Sequence, residues 1–107
     1  QRADWAVSFA EAPRREHLSR GQEKLTALAL ELAQVEHFRN RVGEWPVLLL
    51  DDLASELDAD HLTRVLDWVF AAGLQVWITG TAIPDILQRR NETWRLFHVE
   101  QGQVTPA

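Results

Sequence analysis

The stretch Pro-Val-Leu-Leu-Leu-Asp-Asp-Leu-Ala-Ser-Glu-Leu-Asp, residues 46–58, decides the fold of this 107-residue chain. It joins an apolar run, Val47–Leu50, to two adjacent carboxylates, Asp51 and Asp52. A short apolar run after a proline is typical of a strand buried on both faces of a parallel sheet. Two like charges about 5 Å apart repel by roughly 3 kcal/mol at an effective dielectric constant near 20. A cation at the carboxyl end of the strand, where open α/β sheets bind ligands, would relieve that repulsion.

The same two carboxylates have a simpler interpretation. Asp51 and Asp52 could open a solvated loop and cap the helix that follows, and this stretch alone leaves both interpretations open.

The residues after this stretch predict a helix and a second strand. The helix is expected from about Ala59 to Ala72, and Gly73 ends it. Its apolar residues recur at helical spacing on one face: Leu62, Val65, Leu66, Val69 and Phe70. Gln75–Thr79 then has the composition of a second parallel strand. Strand, helix and strand therefore predict a βαβ unit.

A long helix is expected before this unit. Ser19 and Gln22 have the spacing of a capping box, and the helix should run from about Gly21 to Arg41 and stop at Gly43. Its apolar residues predict burial of the first half. A serine hydroxyl and free backbone N–H groups at a helix N-terminus also form a site for anions.

The two ends of the chain carry weaker patterns. Asp4–Ala10 predicts a strand, Asp85–Arg90 a short helix and Trp94–Glu100 a third strand. Gln101-Gly102 fits a tight hairpin turn. Pro106-Ala107 is expected to fray.

Composition narrows the classes of function. The net charge of −5 makes the chain as a whole a poor electrostatic partner for nucleic acid. No cysteine is present, which fits a cytoplasmic protein. No apolar run is long enough for a membrane span, so no membrane partner is expected. No methionine is present, so a fragment is expected. The histidines share no metal-ligand spacing: His17, His37, His61 and His98.

Two motifs together carry a family resemblance. Leu18-Ser19-Arg20-Gly21-Gln22, followed by Glu23-Lys24, is similar to the signature motif of an ABC-type ATPase head. The stretch 48–58 is similar to the Walker B motif and D-loop. Together they resemble the RecF family of bacterial recombination mediators, and Arg2-Ala3-Asp4 is similar to a RecF segment that precedes the signature. The resemblance covers almost the whole chain.

The resemblance implies the fold class and the site. The fold would be α/β, the C-terminal part of a P-loop NTPase head, with a mostly parallel sheet flanked by helices and a C-terminal hairpin in one domain, residues 1–107. Asp51 would hold Mg²⁺ through water. Asp52 would orient the attacking water, as the catalytic Glu of many ABC ATPases does. The implied nucleotide-binding residues, which act across a dimer, are Ser19, Arg20, Gly21 and Gln22. The implied D-loop residues at the dimer interface are Ser55, Glu56 and Asp58.

Two elements of such a head are absent from the sequence. No G-x-x-x-x-G-K-[ST] phosphate loop occurs, so ATP and Mg²⁺ would both require an N-terminal lobe, and the chain alone is expected to be inactive. The position of the switch histidine reads Gly80-Thr81, and Thr79 and Thr81 are weak candidates to replace it.

The resemblance also implies a function. The intact protein would be an ATP-dependent DNA-binding mediator with slow hydrolysis, acting in DNA replication, gap repair and the SOS response. It would form an ATP-dependent homodimer, bind single-/double-strand junctions and work with RecR and RecO.

Three other classes of protein share some of these features. A transporter nucleotide-binding subunit is opposed by Arg20 in place of a glycine and by Asp52 in place of Glu. An SMC-like chromosome-maintenance head should continue into heptad coiled coil, which is not visible here. A small binding domain without catalysis does not explain why both motifs occur at family-like separation.

Overall fold

The computed structural model describes residues 19–90 and 92–107. Their elements follow in the order α1 (Arg20–Val42), β1 (Leu48–Leu50), α2 (Leu53–Glu56), α3 (Ala59–Ala72), β2 (Val76–Ile78), α4 (Asp85–Gln88), β3 (Phe97–Glu100) and β4 (Gln103–Pro106). The fold is α/β, as expected. The strand expected at Asp4–Ala10 lies outside the described residues.

The parallel unit is formed by β1 and β2. The two strands pair in parallel with Leu48 opposite Val76 and Leu50 opposite Ile78, and the connection between them contains α3. The predicted βαβ unit is confirmed. In the described residues this parallel pair is accompanied by a separate antiparallel pair, β3 and β4.

The core lies between α3 and one face of this sheet. The apolar residues of α3 that are buried are Leu62, Val65, Leu66 and Val69, as predicted. They cluster with Leu48 and Leu50 from β1. The helix begins at an Asp58 cap and ends at Gly73, which adopts the left-handed conformation (φ 73°) that glycine tolerates.

The other face of the parallel pair is open, so the expectation that β1 is buried on both faces is wrong. Leu49 is 68% exposed and Val47 is 56% exposed. Successive side chains of a strand point to opposite faces. The buried cluster that contains Leu48 and Leu50 takes its other residues mainly from the helices α1, α2 and α3. On the side of Leu49, Trp77 stacks on Phe97 of β3, and both rings stay partly exposed.

Helix α1 has the predicted ends but not the predicted burial. Ser19 caps its start, and Gly43 ends it in the left-handed conformation (φ 91°). Within α1 the buried residue is Val35, in the second half of the helix, whereas Ala29 and Leu30 in the first half are exposed. The expectation of a buried first half is wrong, since the described elements reach only one side of this helix.

Strands β3 and β4 form the predicted hairpin. Gln101 and Gly102 form its two-residue turn, and both have positive φ (49° and 78°), as a type I′ turn requires. The expectation of a frayed end is wrong. Pro106 is paired opposite Phe97, and the N–H of Ala107 donates to the carbonyl of Leu96.

None of the helices in the described part of the chain combines the length and apolarity that a membrane crossing needs.

Candidate functional site

The N-terminus of α1 is one part of the candidate site. The N–H of Gln22 donates to Ser19 Oγ at 3.2 Å, and the N–H of Ser19 donates to Gln22 Oε1 at 2.9 Å, so the predicted capping box is confirmed. Because Ser19 Oγ accepts in this box, its own proton stays available for another acceptor. Ser19, Arg20 and Gly21 are exposed, and a Cβ added at Gly21 would meet nothing within 4 Å. The start of this 23-residue helix is therefore open to an anion.

The carboxyl end of the parallel sheet is the other part. Asp51 and Asp52 follow β1 directly, and Thr79 follows β2 directly. Thr79 Oγ1 donates to Asp51 Oδ1 at 2.5 Å and accepts the N–H of Asp52 at 3.0 Å. The N–H of Thr79 donates to the carbonyl of Leu50 at 3.0 Å, so the ends of the two strands are joined by three hydrogen bonds.

Asp52 has an uncommon backbone conformation. Its φ of 52° and ψ of 40° lie in the left-handed region, which Asp enters more readily than most non-glycine residues. The N–H and the hydroxyl of Ser55 both donate to the Asp52 carbonyl, at 3.2 and 3.0 Å. Asp52 precedes α2, yet its carboxylate makes no capping hydrogen bond to that helix. The capping interpretation therefore does not explain this acid.

The three predicted D-loop residues each have a partner within the chain. Ser55 bonds to Asp52, and Glu56 forms an ion pair with Lys24 of α1. Asp58 accepts the backbone N–H of His61 at 2.9 Å, and its carboxylate also contacts the His61 ring at 2.9 Å. The backbone hydrogen bond is the larger cause, and the ring contact the next, of the lowered pKa of Asp58. The dimer-interface role of these residues stays a prediction.

The ion pair between Lys24 and Glu56 links the two parts of the site. It joins α1 to the segment that follows Asp52. A cleft of about 220 Å³ lies in the same place, between α1 and the end of β1, and Asp51 is among its lining residues. No local sequence pattern predicts this ion pair, because Lys24 and Glu56 belong to separate motifs.

The donors at the sheet end suit a hard cation. Asp51 and Asp52 offer carboxylate oxygen atoms, which Mg²⁺ prefers. Residues 19–90 and 92–107 contain no group of three or more His, Cys, Asp or Glu side chains placed to hold a metal. Mg²⁺ is commonly held by one or two carboxylates together with water and substrate phosphates, and the residues present fit that kind of site.

The chain is similar in sequence to known proteins that share one name. The chain is 52% identical over 103 residues to the protein named DNA replication and repair protein RecF of Stenotrophomonas maltophilia, covering 96% of this chain. It is 53% identical over 104 residues to the protein of the same name from Xanthomonas euvesicatoria, and 37% identical over 108 residues to that from Saccharophagus degradans. The chain spans about 28% of the length of these relatives. These similarities confirm the resemblance carried by the motifs.

No protein-family profile matches the chain, and no solved structure matches it.

Proposed function

We propose that the chain belongs to the RecF family and that it supplies the C-terminal lobe of an ATPase head to a protein of DNA replication and repair. In this proposal the lobe contributes the signature motif, Walker B motif and D-loop to an ATP-sandwich dimer. The phosphate loop that completes each nucleotide site belongs to the remainder of such a head.

One observation supports this proposal most strongly. A single chain presents an exposed helix N-terminus suited to an anion and, at the end of its parallel sheet, two carboxylates suited to a cation. Mg-ATP carries both charges. An isolated binding domain has no evident need for both features.

The residues have separate roles in the proposed site. At the start of α1 the exposed backbone N–H groups and the free Ser19 proton donate to the γ-phosphate of a nucleotide held by the opposite subunit. The residues that would form this contact are Ser19, Arg20, Gly21 and Gln22. On its own subunit Asp51 holds Mg²⁺ through water, and bound Mg²⁺ neutralises charge on the phosphates. Asp52 orients the attacking water as a base. Ser55, Glu56 and Asp58 lie along the dimer interface.

The role of Ser19 is tested in a full-length RecF-family protein that carries these residues. Ser19→Arg should leave ATP binding to one head nearly intact, because the proposed contact is made only after two heads close. It should block ATP-driven dimerisation through bulk and loss of the phosphate contact. Ser19→Thr keeps the hydroxyl and the cap and is the matched control. Nucleotide affinity and sedimentation measure the two effects. Outright loss of ATP binding in Ser19→Arg would contradict the proposal that Ser19 contacts the nucleotide of the opposite subunit.

Asp52→Asn tests the other half of the site. The change keeps the shape and removes a negative charge, so ATP binding should be preserved or strengthened. Hydrolysis should fall by roughly 10²–10⁴-fold, the range expected for a positioned base, and the closed dimer should accumulate. Phosphate release at the parent rate would show that Asp52 is not the base.

The chain alone should not retain Mg-ATP, since its sequence contains no phosphate loop. Calorimetry with Mg-ATP measures this directly. Micromolar binding by the 107-residue chain would show that it forms more of the nucleotide site than we propose.

DNA binding is proposed for the full-length protein rather than for a surface of this chain. The relatives are named for DNA replication and repair, whereas this chain carries a net charge of −5, which opposes general attraction to phosphate. We place the protein in the cytoplasm, as an ATP-dependent homodimer acting at single-/double-strand junctions with RecR and RecO. Binding to gapped DNA with and without ATP is the direct measurement.

A further inference from the structure

Thr79 makes two side-chain hydrogen bonds whose directions are fixed by chemistry. A threonine hydroxyl has one proton and two lone pairs. Asp52 N–H can only donate, so the hydroxyl accepts from it and gives its own proton to Asp51 Oδ1. Because an ionised carboxylate is a strong acceptor, the bond to Asp51 is the stronger of the two.

These bonds restrict both acids of the pair. One oxygen of Asp51 is held by Thr79, which fixes the direction of the other. The N–H of Asp52 is held by Thr79 and its carbonyl by Ser55, so the peptide groups on both sides of a left-handed residue are restrained. A left-handed non-glycine residue persists only where its surroundings over-determine it. Thr79 itself is well suited to this task, because β-branching limits its side-chain rotamers.

We propose that Thr79 is a positioning residue for Asp51 and Asp52. It acts through the two acids: it aims Asp51 at the cation site and holds the Asp52 backbone that directs the neighbouring carboxylate. Its effect on catalysis rests on the proposed ATPase function, whereas its effect on the two acids rests on the hydrogen bonds alone. The competing role is direct contact with the γ-phosphate, in place of a switch histidine.

The positional effect is tested on the 107-residue chain without nucleotide. Thr79→Val has nearly the shape of threonine and lacks the hydroxyl. It should raise the exchange rate of the Asp52 amide by about fivefold to tenfold, the loss expected for one hydrogen bond. Thr79→Ser should keep most of the protection, and Thr81→Val, at an exposed threonine two residues on, should leave it unchanged. An Asp52 amide that exchanges equally in Thr79→Val and the parent would overturn the proposal.

The catalytic effect is tested in the full-length protein by varying Mg²⁺. Thr79→Val should raise the Mg²⁺ concentration for half-maximal ATP-driven dimerisation and lower kcat at saturating Mg²⁺. Metal-free ATP affinity should stay unchanged, and Thr79→Ser should restore both quantities. Equal weakening of ATP binding with and without Mg²⁺ would overturn positioning in favour of direct phosphate contact. If the parent protein itself shows no ATP-driven dimer, the proposed function fails, and the amide experiment still decides the role of Thr79.

Discussion

The two faces of the β1–β2 sheet have similar apolar composition and opposite surroundings. On the inner face, Leu48 and Leu50 are 3% and 4% exposed beneath α3. On the outer face, the intervening Leu49 is 68% exposed and Trp77 of the neighbouring strand is 50% exposed. An apolar strand is therefore suited to burial on both faces, but its own sequence does not determine which faces are covered. The cover comes from other elements.

The largest expected effect is on the inner face. Leu50→Ala removes a nearly fully buried side chain and leaves a cavity against α3, so the free energy of unfolding should fall by about 2–5 kcal/mol. Urea denaturation of the 107-residue chain measures the change. A loss below about 1 kcal/mol would mean that this face is not the packed core.

A smaller effect is expected where the outer face meets the hairpin. The rings of Trp77 and Phe97 are stacked, with centroids 6.0 Å apart and planes 28° apart. Such a pair contributes about 0.5–1.5 kcal/mol beyond its buried area. A double-mutant cycle with Trp77→Ala and Phe97→Ala should give a coupling in this range. Additive single effects would show that the stack does not hold the hairpin to the sheet.

Leu49→Ala should have a smaller effect still. It is the same chemical change one position from Leu50, on a side chain that is already in water, so the unfolding free energy should fall by less than about 1 kcal/mol. Equal losses of unfolding free energy for Leu49→Ala and Leu50→Ala would show that the two faces do not differ in packing.

The final prediction concerns Asp58, which caps α3, the helix that covers the inner face of the sheet. The lowered pKa of Asp58 means that its cap on α3 stabilises the fold above the ordinary carboxyl pKa, and that this contribution is lost as the pH falls through the lowered value. Asp58→Asn also caps a helix but does not titrate. As the pH falls from 7 to 3, the melting temperature of the parent should therefore fall by more than that of Asp58→Asn. Parallel pH profiles for the two proteins would contradict this role.

Local signals predicted the elements well. The capping box at Ser19 and Gln22 and the glycines that end α1 and α3 involve residues within four positions of each other, and the structure confirms them. The hairpin was predictable for the same reason, because Gln101-Gly102 joins strands that are adjacent in sequence.

Contacts between distant residues were not predictable in the same way. Asp51 and Asp52 were expected at a strand end, and they lie there. The bond from Thr79 to Asp51 spans 28 positions and depends on the register of two strands, which no local pattern specifies. The burial of α1 was missed because an apolar stripe shows which side of a helix can be covered, not which elements reach it.

The left-handed conformation of Asp52 limits which amino acids position 52 can accept. Asparagine and glycine enter this conformation readily, whereas most other L-residues lose about 1–2 kcal/mol there. A change to glutamate would extend the carboxylate by a methylene but would incur this backbone cost. A longer acid at position 52 therefore becomes favourable only together with a change in the turn itself, and this double requirement restricts the route by which the position could gain a glutamate.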